Sequence, residues 1–449
     1  NTYKFIDTLL KNEKKYEALN DFLEKKHPNI KGIKTGEKII KSNEFNKEIP
    51  SIISNLNNSY IYIQGPPGTG KTFQASNAII ELLKQNKKIA ITGLSHKVIH
   101  NLLQRVEDMA AEKQFKFNGF KKGNLEDDDT IFKGENIKTY EKDPPFMDAL
   151  KEKNVGNIFA GTKYHLANSY YDEKIDYLFI DEAGQLSLAD LISIGNIAKN
   201  IVLIGDQNQL GQPIRGTHPN NSGQSILEYL LESKDTISQD KGIFLNKTYR
   251  LNSKINNFIS SNFYEERLIC DDRTDKRIIK FNNKSIIKKD GIHYVEMKHK
   301  NNVQTSIEEF EVVKSLMKQL IGVEFDDNGK KRKLTANDFL VISPYNTQVN
   351  LLISKLEEEK IKNPRVGTID KFQGQEAPIA IISMTSSDSD SLPRNKEFFF
   401  NRNRLNVAIS RAQVASIILF NPNLLDSSPK NLEQIKLMNN FFKFLNYKV

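Results

Sequence analysis

The 449 residues suffice for two to four domains with ample core. Lysine and arginine number 65 against 56 aspartates and glutamates, a net charge of +9 that suits an acidic polymer as partner and equally suits a solvated, lysine-rich surface. The single cysteine, Cys270, excludes a disulfide framework and any cysteine-ligated zinc or iron–sulfur centre within the chain, so a reducing, cytoplasmic setting is expected. No apolar run approaches membrane-spanning length, and no membrane partner is expected. The start, Asn1-Thr2-Tyr3-Lys4, has neither an initiator methionine nor a signal-peptide core, so a fragment or a processed product is expected.

Residues 1–50 read as a lysine-rich helical extension, with Phe5, Ile6, Leu9 and Leu10 as its buried stripe. From residue 60 short apolar runs alternate with helical segments. Tyr60-Ile61-Tyr62-Ile63, Ile89-Ala90-Ile91-Thr92, Asn157-Ile158-Phe159-Ala160, Tyr177-Leu178-Phe179-Ile180 and Ile201-Val202-Leu203-Ile204 predict a parallel sheet covered on both faces. The alternation breaks at residues 110–155, rich in Lys, Gly and Asp, where an inserted subdomain or mobile loop is expected and Asp127-Asp128-Asp129 reads as a solvated run rather than a metal site. A second series runs from Ile243-Phe244-Leu245 through Ile292-His293-Tyr294-Val295, Phe339-Leu340-Val341-Ile342 and Ile379-Ala380-Ile381-Ile382 to Ser416-Ile417-Ile418-Leu419. Two α/β domains in tandem, 51–242 and 243–449, are the simplest account.

After the first strand, Gly65-Pro66-Pro67-Gly68-Thr69-Gly70-Lys71-Thr72 fits the phosphate-cradling pattern G-x-x-x-x-G-K-[ST], and Ala75, Ala78, Ile79 and Leu82 follow at helical spacing. Such a loop closes backbone N–H groups around the phosphates of ATP at the positive end of a helix, while Lys71 reaches the β and γ oxygens and the Thr72 hydroxyl ligates Mg2+. Asp181-Glu182 ends another apolar strand. That places Asp181 to hold the magnesium through water and Glu182 to orient and deprotonate the attacking water. Gly205-Asp206-Gln207-Asn208-Gln209-Leu210 follows a third strand and places Gln209 near the nucleotide, unless it is only a polar turn. His96 and His100 stand four residues apart but lack the H-E-x-x-H glutamate, and read as helix-surface or ligand-facing residues.

These motifs, with Thr248-Tyr249-Arg250, Val366-Gly367-Thr368-Ile369-Asp370-Lys371-Phe372-Gln373-Gly374-Gln375-Glu376 and Asn403-Arg404-Leu405-Asn406-Val407-Ala408-Ile409-Ser410-Arg411-Ala412, occur in one order. The series resembles that of superfamily 1B helicases, the branch of senataxin and the nonsense-mediated-decay helicases, over about residues 60–420. Ser95-His96-Lys97-Val98-Ile99, Gln212-Pro213-Ile214-Arg215-Gly216-Thr217-His218-Pro219 and Phe372-Gln373-Gly374-Gln375-Glu376-Ala377-Pro378 further resemble the helicase half of a bacterial family with a RecB-type nuclease upstream in the same polypeptide.

The resemblance implies two RecA-like domains hydrolysing ATP between them, and movement 5′ to 3′ on single-stranded DNA or RNA, with DNA favoured. It implies Arg250 and Arg411 as arginine fingers, Tyr249 stacked on the base and Glu376 on the ribose. Ser95, His96, Lys97, Thr162, Lys163, Pro344, Tyr345, Asn346, Thr368 and Asp370 match the family's nucleic-acid groove. The family's adenine-reading glutamine has no counterpart in residues 51–59, and Gln64 does not simply replace it. Two further readings stay open: an ATP-gated nucleic-acid clamp with little unwinding, and a metabolic P-loop kinase, which would not need Gln209 and Arg411 in this arrangement. Asp290 with Glu296 and Lys298 resembles a nuclease metal site, but it reads as part of a core strand.

Overall fold

The computed structural model describes residues 2–11, 13–42, 44–211, 222–232, 234–282, 285–388, 400–426, 435, 438, 439 and 442. The resembling stretch at 212–219 lies outside the described residues. Two compact units emerge: Asn1–Gly65 with Gly70–Gln207 and Gly211–Leu245, and Pro66–Thr69 with Asn208–Leu210 and Asn246–Val449.

The first unit is built on eight strands: β1 (Tyr60–Gln64), β2 (Ile89–Thr92), β3 (Asn118–Lys122), β4 (Ile137–Tyr140), β5 (Asn157–Ala160), β6 (Ile175–Ile180), β7 (Ala198–Gly205) and β8 (Gly242–Phe244). They form one sheet in the order β4-β3-β5-β2-β6-β7-β1-β8, parallel throughout. Every residue of β1, β2 and β5 is buried, as a parallel sheet covered on both faces requires. The helices Lys71–Lys84 and His96–Glu112 pack Ile79, Leu82, Leu102 and Val106 onto Ile61, Ile63, Ile89 and Ile91.

Three expectations change here. The segment at 110–155 is neither a separate subdomain nor a bare loop: β3 and β4 extend the sheet beyond β5, in register with Asn118 opposite Asn157. The run Ile243-Phe244-Leu245 does not open a second series, because β8 closes the first sheet against β1. Of the N-terminal stripe only Phe5 is buried, whereas Ile6, Leu9 and Leu10 are 42%, 48% and 77% exposed. Anchoring of the extension comes instead from the helix Glu17–Leu23, whose Phe22 ring meets Tyr60 edge-on at 5.3 Å. Truncating so deeply buried a ring costs roughly 3–5 kcal/mol.

The second unit carries β9 (Lys247–Thr248), β10 (Ile269–Cys270), β11 (Arg277–Ile279), β12 (Gly291–Glu296), β13 (Glu324–Asp327), β14 (Lys330–Lys333), β15 (Phe339–Ile342), β16 (Val366–Gly367), β17 (Ala377–Ser383) and β18 (Ala412–Phe420). Its main sheet is parallel in the order β12-β18-β17-β15-β16, with β11, β13 and β14 in a small antiparallel sheet and β9 paired to β10. Val313, Leu316, Leu320, Val341, Leu352, Ile379 and Ile417 form its core. Among the described residues no helix is long and apolar enough to cross a membrane.

Candidate nucleotide and nucleic-acid sites

In a parallel sheet the loops after the strands emerge along one edge, which is where ligands bind in such folds. Along the carboxyl edge of the first sheet the candidate residues follow the strand order. Thr162 and Lys163 come after β5, Ser95, His96 and Lys97 after β2, Asp181 and Glu182 after β6, the Gln209 loop after β7, and residues 65–72 after β1. The carboxylates therefore stand between the nucleic-acid candidates and the phosphate loop.

The phosphate loop has the geometry its sequence demands. Gly68 and Gly70 take φ of +73° and +80°, a region open to glycine, and the helix starts at Lys71. Lys71 Nζ donates to the Gly65 carbonyl at 2.6 Å. Asp181 is buried, and burial followed by the neighbouring Glu182 charge pushes its carboxyl above the usual carboxylate range, with Lys71 pulling it back. A cation beside Asp181 would relieve that penalty. Among the described residues no cluster of three or more His, Cys, Asp or Glu is able to hold a metal unaided. Thr72 and Asp181 offer one hydroxyl and one carboxylate, a donor set that suits an ion such as Mg2+, which keeps several waters. Glu182 sits at φ +52°, its amide donating to Asp181 Oδ1 at 3.0 Å, so the two carboxylates are held in a fixed turn.

Gln64 is fully buried. Its amide donates to Gln207 Oε1 at 3.0 Å and to the Asp235 carbonyl at 2.9 Å, and its oxygen accepts from the Ile237 amide at 2.7 Å. These bonds occupy the side chain internally. On the nucleic-acid side, Ser95 caps the helix His96–Glu112 and, like Lys97, is exposed, whereas Lys163 is drawn into an ion pair with Asp190 at 2.6 Å. His96 and His100 are not simply helix surface: both are half-buried, with rings 6.1 Å apart, and Lys121 Nζ lies 2.9 Å from His96 Nδ1.

The second unit distributes its candidates differently. Pro344, Tyr345 and Asn346 follow β15, and Thr368 and Asp370 follow β16, again on the carboxyl edge. Tyr345 is buried, so Pro344 and Asn346 rather than the Tyr345 ring are the accessible positions of that loop. Behind it the fully buried Glu309 accepts from Ser383 Oγ at 2.5 Å and from the Thr385 amide at 2.9 and 3.0 Å, and Thr385 Oγ1 meets Ser343 Oγ at 3.2 Å. Sequence reasoning missed this buttress, since an isolated glutamate in a helix reads as surface.

Glu376 and Arg411, by contrast, immediately precede β17 and β18 and so lie on the amino edge. Arg250 Nε donates to Glu376 and Arg250 Nη1 to the Ser410 carbonyl at 3.2 Å; Gln413 donates to the other Glu376 oxygen at 2.8 Å. Burial raises the Glu376 carboxyl, but Arg250 and Gln413 more than offset it and hold it below the usual range. Two residues assigned separate roles from sequence are thus an ion pair. Arg411 is fully buried, its guanidinium on the carbonyls of Val407 at 3.0 Å, Gln375 at 3.2 Å and Phe372 at 3.4 Å. Tyr249 is 45% exposed, with the Arg273 guanidinium 5.3 Å from its ring, an arrangement open to stacking.

Within the second unit, Thr248 Oγ1 donates to the Pro67 carbonyl and the Tyr249 amide to the Gly68 carbonyl, both at 2.9 Å. A side chain at Gly68 would collide with Arg250 and Thr248. Asn208, beside Gln209, is bonded to the Phe263 carbonyl and accepts from Asn406, both at 2.7 Å. The nuclease-like trio is dispersed: Asp290 is taken up by Lys254 at 2.5 Å and Asn252 at 3.3 Å, and Glu296 is exposed.

Two family models, each described as an AAA domain, match residues 49–214 and 222–423. The chain is 28% identical over 412 residues to the DNA replication ATP-dependent helicase/nuclease dna2 of Schizosaccharomyces pombe, covering 84% of this chain and 28% of that protein. It is 27% identical over 407 residues to the DNA polymerase alpha-associated DNA helicase A of the same yeast, covering 78% of this chain and 59% of that protein. It thus spans less than two thirds of either relative. Among solved structures, an arterivirus nonstructural protein 10 (helicase) aligns with TM-score 0.44 at 15% identity, over 86% of this chain and 63% of that one.

Proposed function

We propose that this chain, a superfamily 1 helicase of the Dna2/senataxin type built from two RecA-like domains, uses ATP hydrolysis to move along single-stranded nucleic acid. The observation that carries the reading is the single carboxyl edge of the first sheet, where Asp181 and Glu182 stand between the phosphate loop and the nucleic-acid loops. A change at the γ-phosphate is then felt by the strands that flank β6.

ATP binds with its phosphates in the backbone amides of residues 65–72 and Lys71 on the β and γ oxygens. Glu182 orients and deprotonates the attacking water, and Gln209 contacts the γ-phosphate. Thr72 and Asp181 would hold Mg2+, which would supply charge neutralisation on the phosphate oxygens. Arg250 and Arg411 provide the remaining positive charge at the transition state, Arg250 exchanging the Glu376 carboxylate for phosphate. Tyr249 stacks on the base, and Glu376, once released, contacts the ribose. Ser95, His96, Lys97, Thr162, Lys163, Pro344, Asn346, Thr368 and Asp370 grip the strand through its backbone, without reading sequence. Movement runs 5′ to 3′, DNA is the favoured strand and the setting is cytoplasmic. Cutting is left to a nuclease segment in the full-length polypeptide, as the helicase/nuclease names of its relatives suggest.

The test is ATP turnover with DNA and RNA single strands, followed by strand displacement on forks with one free 5′ or 3′ tail. Stimulation by single strands with displacement from the 5′ tail is the expected result. Stimulation without displacement makes the chain an ATP-gated clamp, and turnover indifferent to strands rules out both. Incubation with labelled DNA and Mg2+ or Mn2+ is expected to leave the DNA uncut.

A further inference from the structure

Lys121 is fully buried on β3, in the segment that extends the first sheet, and among the described residues no carboxylate is paired with it. Its ammonium instead meets three uncharged acceptors: His96 Nδ1 at 2.9 Å, the Lys122 carbonyl at 2.5 Å and the Thr130 carbonyl at 3.4 Å. An ammonium has three hydrogens and no lone pair, so the ring nitrogen that faces it must be the acceptor. His96 opens the helix His96–Glu112, directly after the capping Ser95, and its ring is half-buried.

We infer that Lys121 is a positioning residue that fixes His96 as the neutral Nε2–H tautomer, so that this N–H donates to a strand phosphate without a charge on the ring. The inference rests on His96 being a strand contact, as proposed above. The wider surroundings agree with it. Burial comes first in lowering the His96 imidazole from its usual pKa, then the Lys121 charge, with Asp127 opposing and His100 packed alongside at 6.1 Å. Lys121 itself is pushed down to about 8 by burial, which leaves it mostly an ammonium at neutral pH. A hydrogen bond from a neutral donor keeps strand affinity insensitive to pH near neutrality, whereas a titrating histidine would not.

The experiment is 15N labelling of histidine in the whole chain, with long-range proton–nitrogen correlation of the imidazoles from pH 6 to 8. Wild type and Lys121→Met are compared, and His96→Ala identifies the resonance. In wild type the His96 ring is expected as the Nε2–H tautomer throughout. In Lys121→Met the tautomers mix and the protonation midpoint rises. The single-strand concentration for half-maximal ATPase stimulation then rises about three- to tenfold and becomes pH-dependent, and the loss falls on half-saturation rather than turnover. An Nδ1–H tautomer in wild type overturns the inference even if the variant fails to fold. Weaker strand affinity with an unchanged His96 tautomer overturns it too, and marks Lys121 as merely structural. A shifted tautomer with unchanged affinity overturns the strand contact, and with it the reading of His96 in the groove.

Discussion

The two sheets share a parallel architecture and use it differently. The first carries its candidate groups on its carboxyl edge, in an order that runs from nucleic-acid loops through Asp181 and Glu182 to the phosphate loop. The second divides them: Pro344, Asn346, Thr368 and Asp370 follow β15 and β16, whereas Glu376 and Arg411 precede β17 and β18. A single edge suits a domain that both binds the nucleotide and senses the strand over a short distance. Two edges suit a domain in which nucleotide state must be transmitted through the body of the sheet, and the buried Glu309 lies there, bonded to Ser383 and Thr385, with Thr385 in turn meeting Ser343.

The largest effect is expected at the second domain's amino edge. Arg250→Ala is expected to slow hydrolysis by up to about a thousandfold, as removal of an arginine finger does elsewhere, with single-strand affinity nearly intact. Arg411→Ala should slow hydrolysis too, but its three buried carbonyl contacts mean that stability also falls, by about 1–3 kcal/mol, which a denaturant melt would read. If either variant keeps its turnover and loses strand binding instead, the division between edges fails.

On the first domain's single edge, Glu182→Gln should keep ATP binding while turnover drops by about a hundredfold or more. Lys71→Ala should lose tight ATP binding, as nucleotide titration would reveal. Near-normal steady-state turnover in Glu182→Gln would remove Glu182 from the chemistry.

A smaller difference concerns acid. Burial pushes His100 and His165 of the first domain down to about 4. A histidine with a folded pKa below its unfolded value of about 6.5 gives stability that is complete above that value and is lost as the pH falls towards 4. His165, the more buried of the two, accounts for about 2 kcal/mol of this loss by pH 5. Glu309 in the second domain has the opposite sign, because burial raises its carboxyl and proton uptake then favours the folded state. Asp181, raised to about 7 in the first domain, gains stability over the same range, so the histidine loss is read as a difference: amide exchange at pH 7 and pH 5 should show β2 and β5 losing less protection in His165→Phe than in wild type. Equal losses would contradict these assignments.

The placement that a short contiguous pattern can carry was legible in the sequence. The phosphate loop, Asp181 and Glu182 each follow an apolar strand, and the folded chain places them at its carboxyl end. What escaped depends on distant partners. Arg250 and Glu376 are 126 residues apart, so nothing local announces their ion pair. The strands β3 and β4 are hidden in a polar stretch because they are the last two strands at one side of the sheet, β4 its edge, where Asn118 and Lys138 are exposed and no run of apolar residues is needed. Tyr345 follows an apolar strand as a loop aromatic should, yet the loop turns it into the core. Ile6, Leu9 and Leu10 satisfy helical spacing without being buried, since periodicity reports a face and not its partner.

The central claim is that strand contact and nucleotide chemistry occupy different edges of the second sheet. ATP turnover titrated with a DNA single strand tests it most directly, with Asn346→Ala compared against Glu376→Ala. The account predicts that Asn346→Ala raises the half-saturating strand concentration severalfold and spares the plateau, whereas Glu376→Ala lowers the plateau and spares half-saturation. Both variants shifting the same parameter, or turnover indifferent to the strand in wild type, would contradict it.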